Sequence, residues 1–266
     1  MRGRVLSAAR NCGADLAGVA SIERFSALSP EAHPASIKPD CRSVIVLGFR
    51  IPRGALRGIE EATAWQTVSA GNPAGSIAIE ATYQLCRFLE SDGWEAVPLT
   101  THSGDFRNQG VRSRPDRPEP NVIPEMEFAA HAAGLGEIGR GKFFLTPEFG
   151  PRQFFTAVLT DCEIEPDRVF SGKVCDDCGA CADACPARAL DRERIVSQPL
   201  AQGTAAHYCL RIESCRVCQT GVFPLPYSSR MEPCRIAAAC GRACVAHLED
   251  ERGLSRKFKF GFRKKG

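Results

Sequence analysis

Two rhythms of apolar and polar positions run through the first half of this chain. Residues 43–48, Ser-Val-Ile-Val-Leu-Gly, form an apolar run of strand length, the pattern of a strand covered on both faces. Residues 77–90 repeat apolar positions at Ile79, Tyr83, Cys86 and Leu89, the spacing of a helix with one face in a core. Gly93 follows where a helix C-cap glycine belongs. Residues 1–12 and 57–66 suit helices, and 15–21 and 94–99 suit strands. Residues 34–40 and 73–76 break the chain. Helix and strand alternate, which predicts an α/β body with helices covering a sheet.

That rhythm stops at residues 100–124. This stretch holds Pro115, Pro118, Pro120 and Pro124, several arginines (Arg107, Arg112, Arg114, Arg117) and little apolar content. Loops of this length inside compact proteins are functional or disordered. The arginines read first as a solvated surface and second as an anion or partner contact.

Composition narrows the class. The 266 residues are 44% hydrophobic and 24% charged, as in globular proteins with a real core. The net charge of +3 is too small to argue nucleic-acid binding by itself. No apolar run approaches membrane-span length, and the first twenty residues do not read as a signal peptide. A cytoplasmic, reducing location is therefore expected.

Cysteine position carries more than cysteine number. Of 14 cysteines, ten fall between Cys175 and Cys244. Cys12, Cys41, Cys86 and Cys162 lie earlier without ligand-like spacing and read as small core residues. The shift predicts a body over 1–165, a cysteine-rich domain over 166–250 and a basic, aromatic tail over 251–266.

Cys175, Cys178, Cys181 and Cys185, followed by Pro186, read C-x2-C-x2-C-x3-C-P. This is the bacterial ferredoxin spacing, in which three thiolates hold one 4Fe–4S cluster and the fourth reaches a second. Zinc sites usually separate their cysteine pairs by a longer loop, and disulfide frameworks belong to small secreted chains. Six further candidates follow: Cys209, Cys215, Cys218, Cys234, Cys240 and Cys244. The Cys215–Cys218 pair looks like a ferredoxin motif whose last cysteine is Phe223. Cys240 and Cys244 keep the x3 spacing without a cysteine at Ala237. Two clusters need eight thiolates, so two of the ten are spare, and spacing alone leaves open which.

Gly134, Gly136 and Gly139 form G-x-G-x-x-G. A dinucleotide fingerprint needs a strand before the glycines and a helix after them. Here residues 125–133 are helix-like, and Pro147, Gly150 and Pro151 break up the stretch after the glycines. With Gly141, the run instead suits a sharp turn or close approach to a flat ligand. Glu127 and His131 lie four apart on the preceding helix. They read as an ordinary helix-face pair or, if buried, as a source of protons.

The segment AAGLGEIGRGKFFLTPEFGPRQFFTAVLTD resembles one shared by epoxyqueuosine reductases and reductive dehalogenases. The resemblance rests on the AGLG turn, the Gly139-Arg140 step, the TPEFGPR stretch and the strand ending at Asp161, and it runs on through the cysteine motif. It implies a body related to the nitroreductase fold beside a C-terminal two-cluster ferredoxin-like domain. It implies two 4Fe–4S clusters, a bound cobalamin and an external low-potential donor of ferredoxin or flavodoxin type. A flavin is the alternative occupant. By the same analogy Gly134, Gly136, Glu137, Gly139, Arg140, Thr146 and Arg152 shape the corrinoid pocket. Glu127 or His131 supplies protons, and Cys185 and Cys209 belong to the second cluster. Residues 120–124 lack the aspartate of the epoxyqueuosine reductases, which weakens the case for a tRNA substrate. The rival expectation is an electron-transfer or corrinoid-reducing partner without its own substrate. The closing LSRKFKFGFRKKG suits a docked arm or frayed tail, or a single-stranded nucleic-acid contact.

Overall fold

A computed structural model describes residues 1–73, 76–100, 116, 122–218, 220, 222–224, 231–233 and 235–263. Cys234 and the arginines of the proline-rich stretch, Arg107, Arg112, Arg114 and Arg117, lie outside the described residues. The first half runs α1 (Arg2–Asn11), β1 (Leu16–Ser21), β2 (Ser43–Arg50), α2 (Arg57–Glu60), α3 (Gln66–Ala70), α4 (Ile77–Ser91), β3 (Ala96–Thr100), α5 (Met126–Ala132), β4 (Glu137–Ile138), β5 (Phe144–Leu145) and β6 (Gln153–Thr160). The fold is mixed α/β. Strands β1, β2, β6 and β3 form one sheet in that order, every pair antiparallel.

β2 and β6 lie at the centre of this sheet, and their side chains alternate between two cores. Val44, Val46, Phe155, Ala157 and Leu159 face α5, with Phe128 and Ala129. Ile45, Leu47, Phe49 and Val158 face α1 and α4, with Val5, Leu85 and Leu89. The apolar run at 43–48 is therefore a doubly covered strand, as its pattern predicts.

The helix at 77–90 forms, but its inner face differs from the expected stripe. Cys86 and Leu89 are buried, whereas Ile79 and Tyr83 are exposed. Ala78, Ala81, Thr82 and Leu85 take the inner positions. Small residues there let α4 lie close on the sheet, and the Thr82 hydroxyl meets the Thr156 hydroxyl at 2.7 Å. The helix expected over 57–66 is broken into α2 and α3, with Ala62 between them at φ 54°. Gly93 caps α4 as expected, at φ 86° with its N–H on the Glu90 carbonyl.

Residues 161–173 lie against this body. Asp167 accepts a hydrogen bond from the Val19 amide and pairs with Arg2. Arg24 donates to the carbonyls of Ala132 and Asp167, at 2.5 and 2.7 Å. Beyond them come α6 (Ala180–Asp183), the hairpin β7 (Leu190–Pro199) and β8 (Thr204–Leu210), α7 (Ile212–Arg216), the short pair β9 (Val222–Pro224) and β10 (Met231–Pro233), and α8 (Ala239–Ala246). A π-turn over His247–Arg252 leads into the terminal arm.

Arg152 ties these halves together. It is buried, donates from Nε to Glu249 at 2.7 Å and from Nη1 to the Ile51 carbonyl at 2.6 Å. Arg53 reaches the other oxygen of Glu249 at 3.1 Å. Arg152, expected on a cofactor wall, has its guanidinium in a buried cross-link to Glu249 and Ile51. Removing one partner of a buried pair strands the other charge. Arg152→Met should therefore cost about 3 kcal/mol of unfolding free energy, read from urea denaturation. An unchanged urea midpoint would contradict this role.

Candidate functional site

Cys175, Cys178, Cys181 and Cys244 line one small cavity. Asp177 at φ 63° and Gly179 at φ 80° turn the chain between the first cysteines and start α6. Glu137 holds the entering segment, accepting from the amides of Val174 and Cys175 at 2.6 and 2.7 Å. The turn Gly139–Lys142 packs against the same cysteines. A Cβ on Gly141 would lie 2.6 Å from the Cys181 Sγ, and one on Gly139 would lie 3.3 Å from that of Cys175. The Arg140 amide points at the Cys175 Sγ at 3.4 Å. Backbone N–H groups near thiolates stabilise the charged form.

A second group adjoins the first. The thiols of Cys215 and Cys240 each feel Cys185, and Cys215 also feels Cys218. The Ala189 amide points at the Cys185 Sγ at 3.3 Å. Cys244 on α8 thus joins the first run about its cavity, which Cys185 does not line. Cys240 stands near both sets, since Cys181 and Cys244 feel it as well. On β8 Tyr208 and Leu210 pack in the cysteine-lined core, and Cys209 between them is half-buried on the alternate face of the strand.

Burial pushes these thiols up: Cys181 to about 12, Cys240 to about 11, and Cys244 well above the usual range. Neighbouring thiolates push in the same direction for Cys181 and Cys244. So many buried sulfurs ionise together only around a multivalent cation, which inverts the local balance. Arg235 opposes burial at Cys215 and Cys240. Its guanidinium donates to the carbonyls of Gly141 and Lys142, at 2.6 and 2.7 Å, and lies 4.3 Å over the Phe143 ring. One arginine thereby clamps the glycine turn beside the second cysteine group. At the surface edge of the first group, His247 bridges Asp176 and Glu251, each at 2.8 Å. Burial works against its protonation, but these two carboxylates win and raise its pKa.

Lys142, the residue after Gly141, lines a larger open cavity of about 700 Å3 with Leu28, Met126, Glu127, Gln198 and His207. Lys142 sits at φ 54°, a left-handed conformation that a lysine adopts here with its carbonyl held by Arg235. Burial raises the Glu127 pKa, against the pull of the Arg235 and Lys142 charges. His131 does not join Glu127 on this wall. It is buried, its pKa is lowered by burial, and its Nδ1 has no hydrogen-bond partner among the described residues.

The residues assigned to a cofactor wall do other work. Gly134 lies under the Arg168 carbonyl and Gly136 under that of Leu145, where a Cβ would come within 2.1 Å. Thr146 is buried, accepts from the Phe149 amide and bonds Gln153. Glu137, Gly139 and Arg140 serve the first cysteine group. Lys142 and His207, which do line the open cavity, carry no spacing signal in the sequence. Cys12, Cys41, Cys86 and Cys162 stand away from both groups, and burial pushes Cys41 and Cys86 up to about 11 and 12.

No family model matches the chain. A 163-residue stretch is 32% identical to the tetrachloroethene reductive dehalogenase of Desulfitobacterium hafniense, covering 60% of this chain and 25% of the relative. A 183-residue stretch is 28% identical to the epoxyqueuosine reductase of Staphylococcus aureus, covering 65% of this chain and 42% of the relative. The chain's relatives are reductive dehalogenases and epoxyqueuosine reductases. The sequence resemblance is borne out, although the chain spans about a quarter of the length of the dehalogenases it matches. The fold agrees. The solved epoxyqueuosine reductase of Streptococcus thermophilus superposes with a TM-score of 0.55 at 15% identity, covering 91% of this chain and 66% of that one. A reductive dehalogenase whose structure is described with B12-dependent dehalogenation gives 0.55 at 16%, covering 94% and 34%. Among the described residues no helix is long and apolar enough to cross a membrane.

Glu127 gives a pH prediction. Its folded pKa is raised, so the folded state carries a poorly solvated carboxylate above that pKa and none well below it. Glu127→Gln should raise the urea midpoint at pH 8, and the gain should shrink toward pH 4. An equal gain at both pH values would contradict a buried acid.

Proposed function

We propose that this protein is an iron–sulfur oxidoreductase that passes electrons through two 4Fe–4S clusters to a corrinoid for a reductive reaction. The observation that carries the reading is Cys244 joining Cys175, Cys178 and Cys181 about one cavity that Cys185 does not line, so that in this reading the cysteines cross over twice. Cys175, Cys178, Cys181 and Cys244 would hold one cluster, and Cys185, Cys215, Cys218 and Cys240 the other. Thiolate donors, the amides of Arg140 and Ala189 aimed at sulfur, and the glycine cradle against Cys175 and Cys181 all fit such a group. In this reading residues 1–165 are a nitroreductase-related body, 166–250 a ferredoxin-like domain and 251–266 an arm. An external low-potential donor of ferredoxin or flavodoxin type supplies electrons, and a reducing cytoplasm suits the thiols.

The open cavity has the size and mixed lining of a cofactor pocket. A corrinoid there would supply a strongly reducing metal centre. Leu28 and Met126 offer it apolar wall, and Lys142 a cation. Glu127 holds a proton at its carboxyl to higher pH than an ordinary glutamate, because burial raises its pKa, and the cavity gives that proton an exit. Gly139, Arg140 and Gly141 line the cysteine cavity and the adjoining Lys142 lines the open one, so cofactor and first cysteine group would be neighbours. A second reading, an electron relay without its own substrate, is favoured by one observation: none of the seven residues expected to wall a corrinoid lines the open cavity.

Two variants test the ligand sets. Cys244→Ala should lose about half of the roughly eight irons of anaerobically purified protein, and Cys209→Ala should lose none. Loss of iron in Cys209→Ala with retention in Cys244→Ala would overturn the assignment. Stoichiometric cobalamin binding separates the two readings. A spectrum unchanged by added cobalamin would favour the relay.

A further inference from the structure

The terminal arm is docked at both ends and exposed between them. Leu254 is buried beside Leu248 in the core that holds Cys181 and Cys185. At the far end Phe262 is fully buried, under the Arg57 guanidinium at 4.9 Å. Asp250 accepts from the amides of Phe262 and Arg263, at 2.6 and 3.0 Å, and Glu60 pairs with Arg263 at 2.6 Å. Between these anchors the exposed face carries Arg256, Lys257 and Lys259, flanked by Arg252 and Arg263. The acids beside it are engaged: Glu249 by Arg152 and Arg53, Asp250 by the two amides and Glu251 by His247.

This face begins where the first cysteine group reaches the surface. Cys178 is exposed. His247 lines the cavity of that group and joins Asp176 to Glu251, the residue that opens the basic face. The arm's phenylalanines do not form a stacking ladder for bases. Phe262 is buried, and Phe258, 49% exposed, has Arg53 over its ring at 3.6 Å and Arg152 at 5.5 Å. Phe260 stands 82% exposed with no such cover among the described residues. One free ring beside an arginine-capped one suits a protein interface with an apolar anchor and a charged rim better than a run of stacked nucleotides.

We propose that this face docks an acidic one-electron carrier protein that reduces the cluster held by Cys175, Cys178, Cys181 and Cys244. The inference rests on the iron–sulfur reading. One electron leaves the carrier's reduced flavin or iron–sulfur centre and enters the cluster. The carrier is oxidised by one electron and the cluster reduced by one, and no bond forms or breaks. Opposite charge steers such encounters and makes their rate fall with salt.

The test uses the full chain under anaerobic conditions, with a pre-reduced acidic ferredoxin and photoreduced 5-deazariboflavin, a small uncharged reductant. The variants are Lys257→Glu with Lys259→Glu, and Phe260→Ser. The charge reversal should slow cluster bleaching by ferredoxin at least tenfold and flatten its salt dependence. Phe260→Ser should weaken ferredoxin binding, and deazaflavin should bleach every form at the wild-type rate. Wild-type bleaching by ferredoxin in the charge-reversed form would overturn the proposal. So would single-stranded RNA binding that the variants lose while ferredoxin rates hold. Wild-type protein without cluster absorbance would instead sink the iron–sulfur reading. Calorimetry with oxidised ferredoxin on that same preparation would still decide the docking surface.

Discussion

Backbone lying directly on sulfur is the constraint on which the centre of this molecule depends. Between Gly139 and Gly141 there is no room for a side chain facing Cys175 or Cys181. Because the turn is thin, its next residue, Lys142, already belongs to the open cavity. Arg235 fixes the turn from the far side through two carbonyls, and Glu137 fixes the cysteine loop through two amides. Both side chains bond backbone, as buried polar groups require, while the buried Arg235 Nε has no partner among the described residues. The glycine segment, the cysteine loop and α8 are therefore parts of one packed unit.

The first cysteine run was legible in the sequence because its cysteines are local and its spacing is rigid. The second group was not, because its cysteines come from distant stretches. Cys215 and Cys218 sit at the end of α7, and Cys240 arrives only after β9 and β10. The x3 spacing from Cys240 to Cys244 held the clue. What it lacked was the fold, which lays α8 along α6 so that the two cysteines face different groups.

The body shows the same division between local and tertiary information. β2 announced itself by an unbroken apolar run. α4 misled, since large apolar residues at Ile79 and Tyr83 are exposed while alanines take the core face. Hydrophobicity alone ranks the larger residues inward, but close packing on a sheet favours the smaller ones. Arg152 is the clearest reassignment. Nothing near it in sequence names Glu249 as its partner, and that pair is what seats the last helical turn and the arm on the body.

An iron-edge anomalous difference map from anaerobically grown crystals tests the double crossing most directly. The account predicts two separate iron peaks, one bonded to Cys175, Cys178, Cys181 and Cys244, the other to Cys185, Cys215, Cys218 and Cys240. A single peak, or one that joins Cys185 to Cys181, would contradict it.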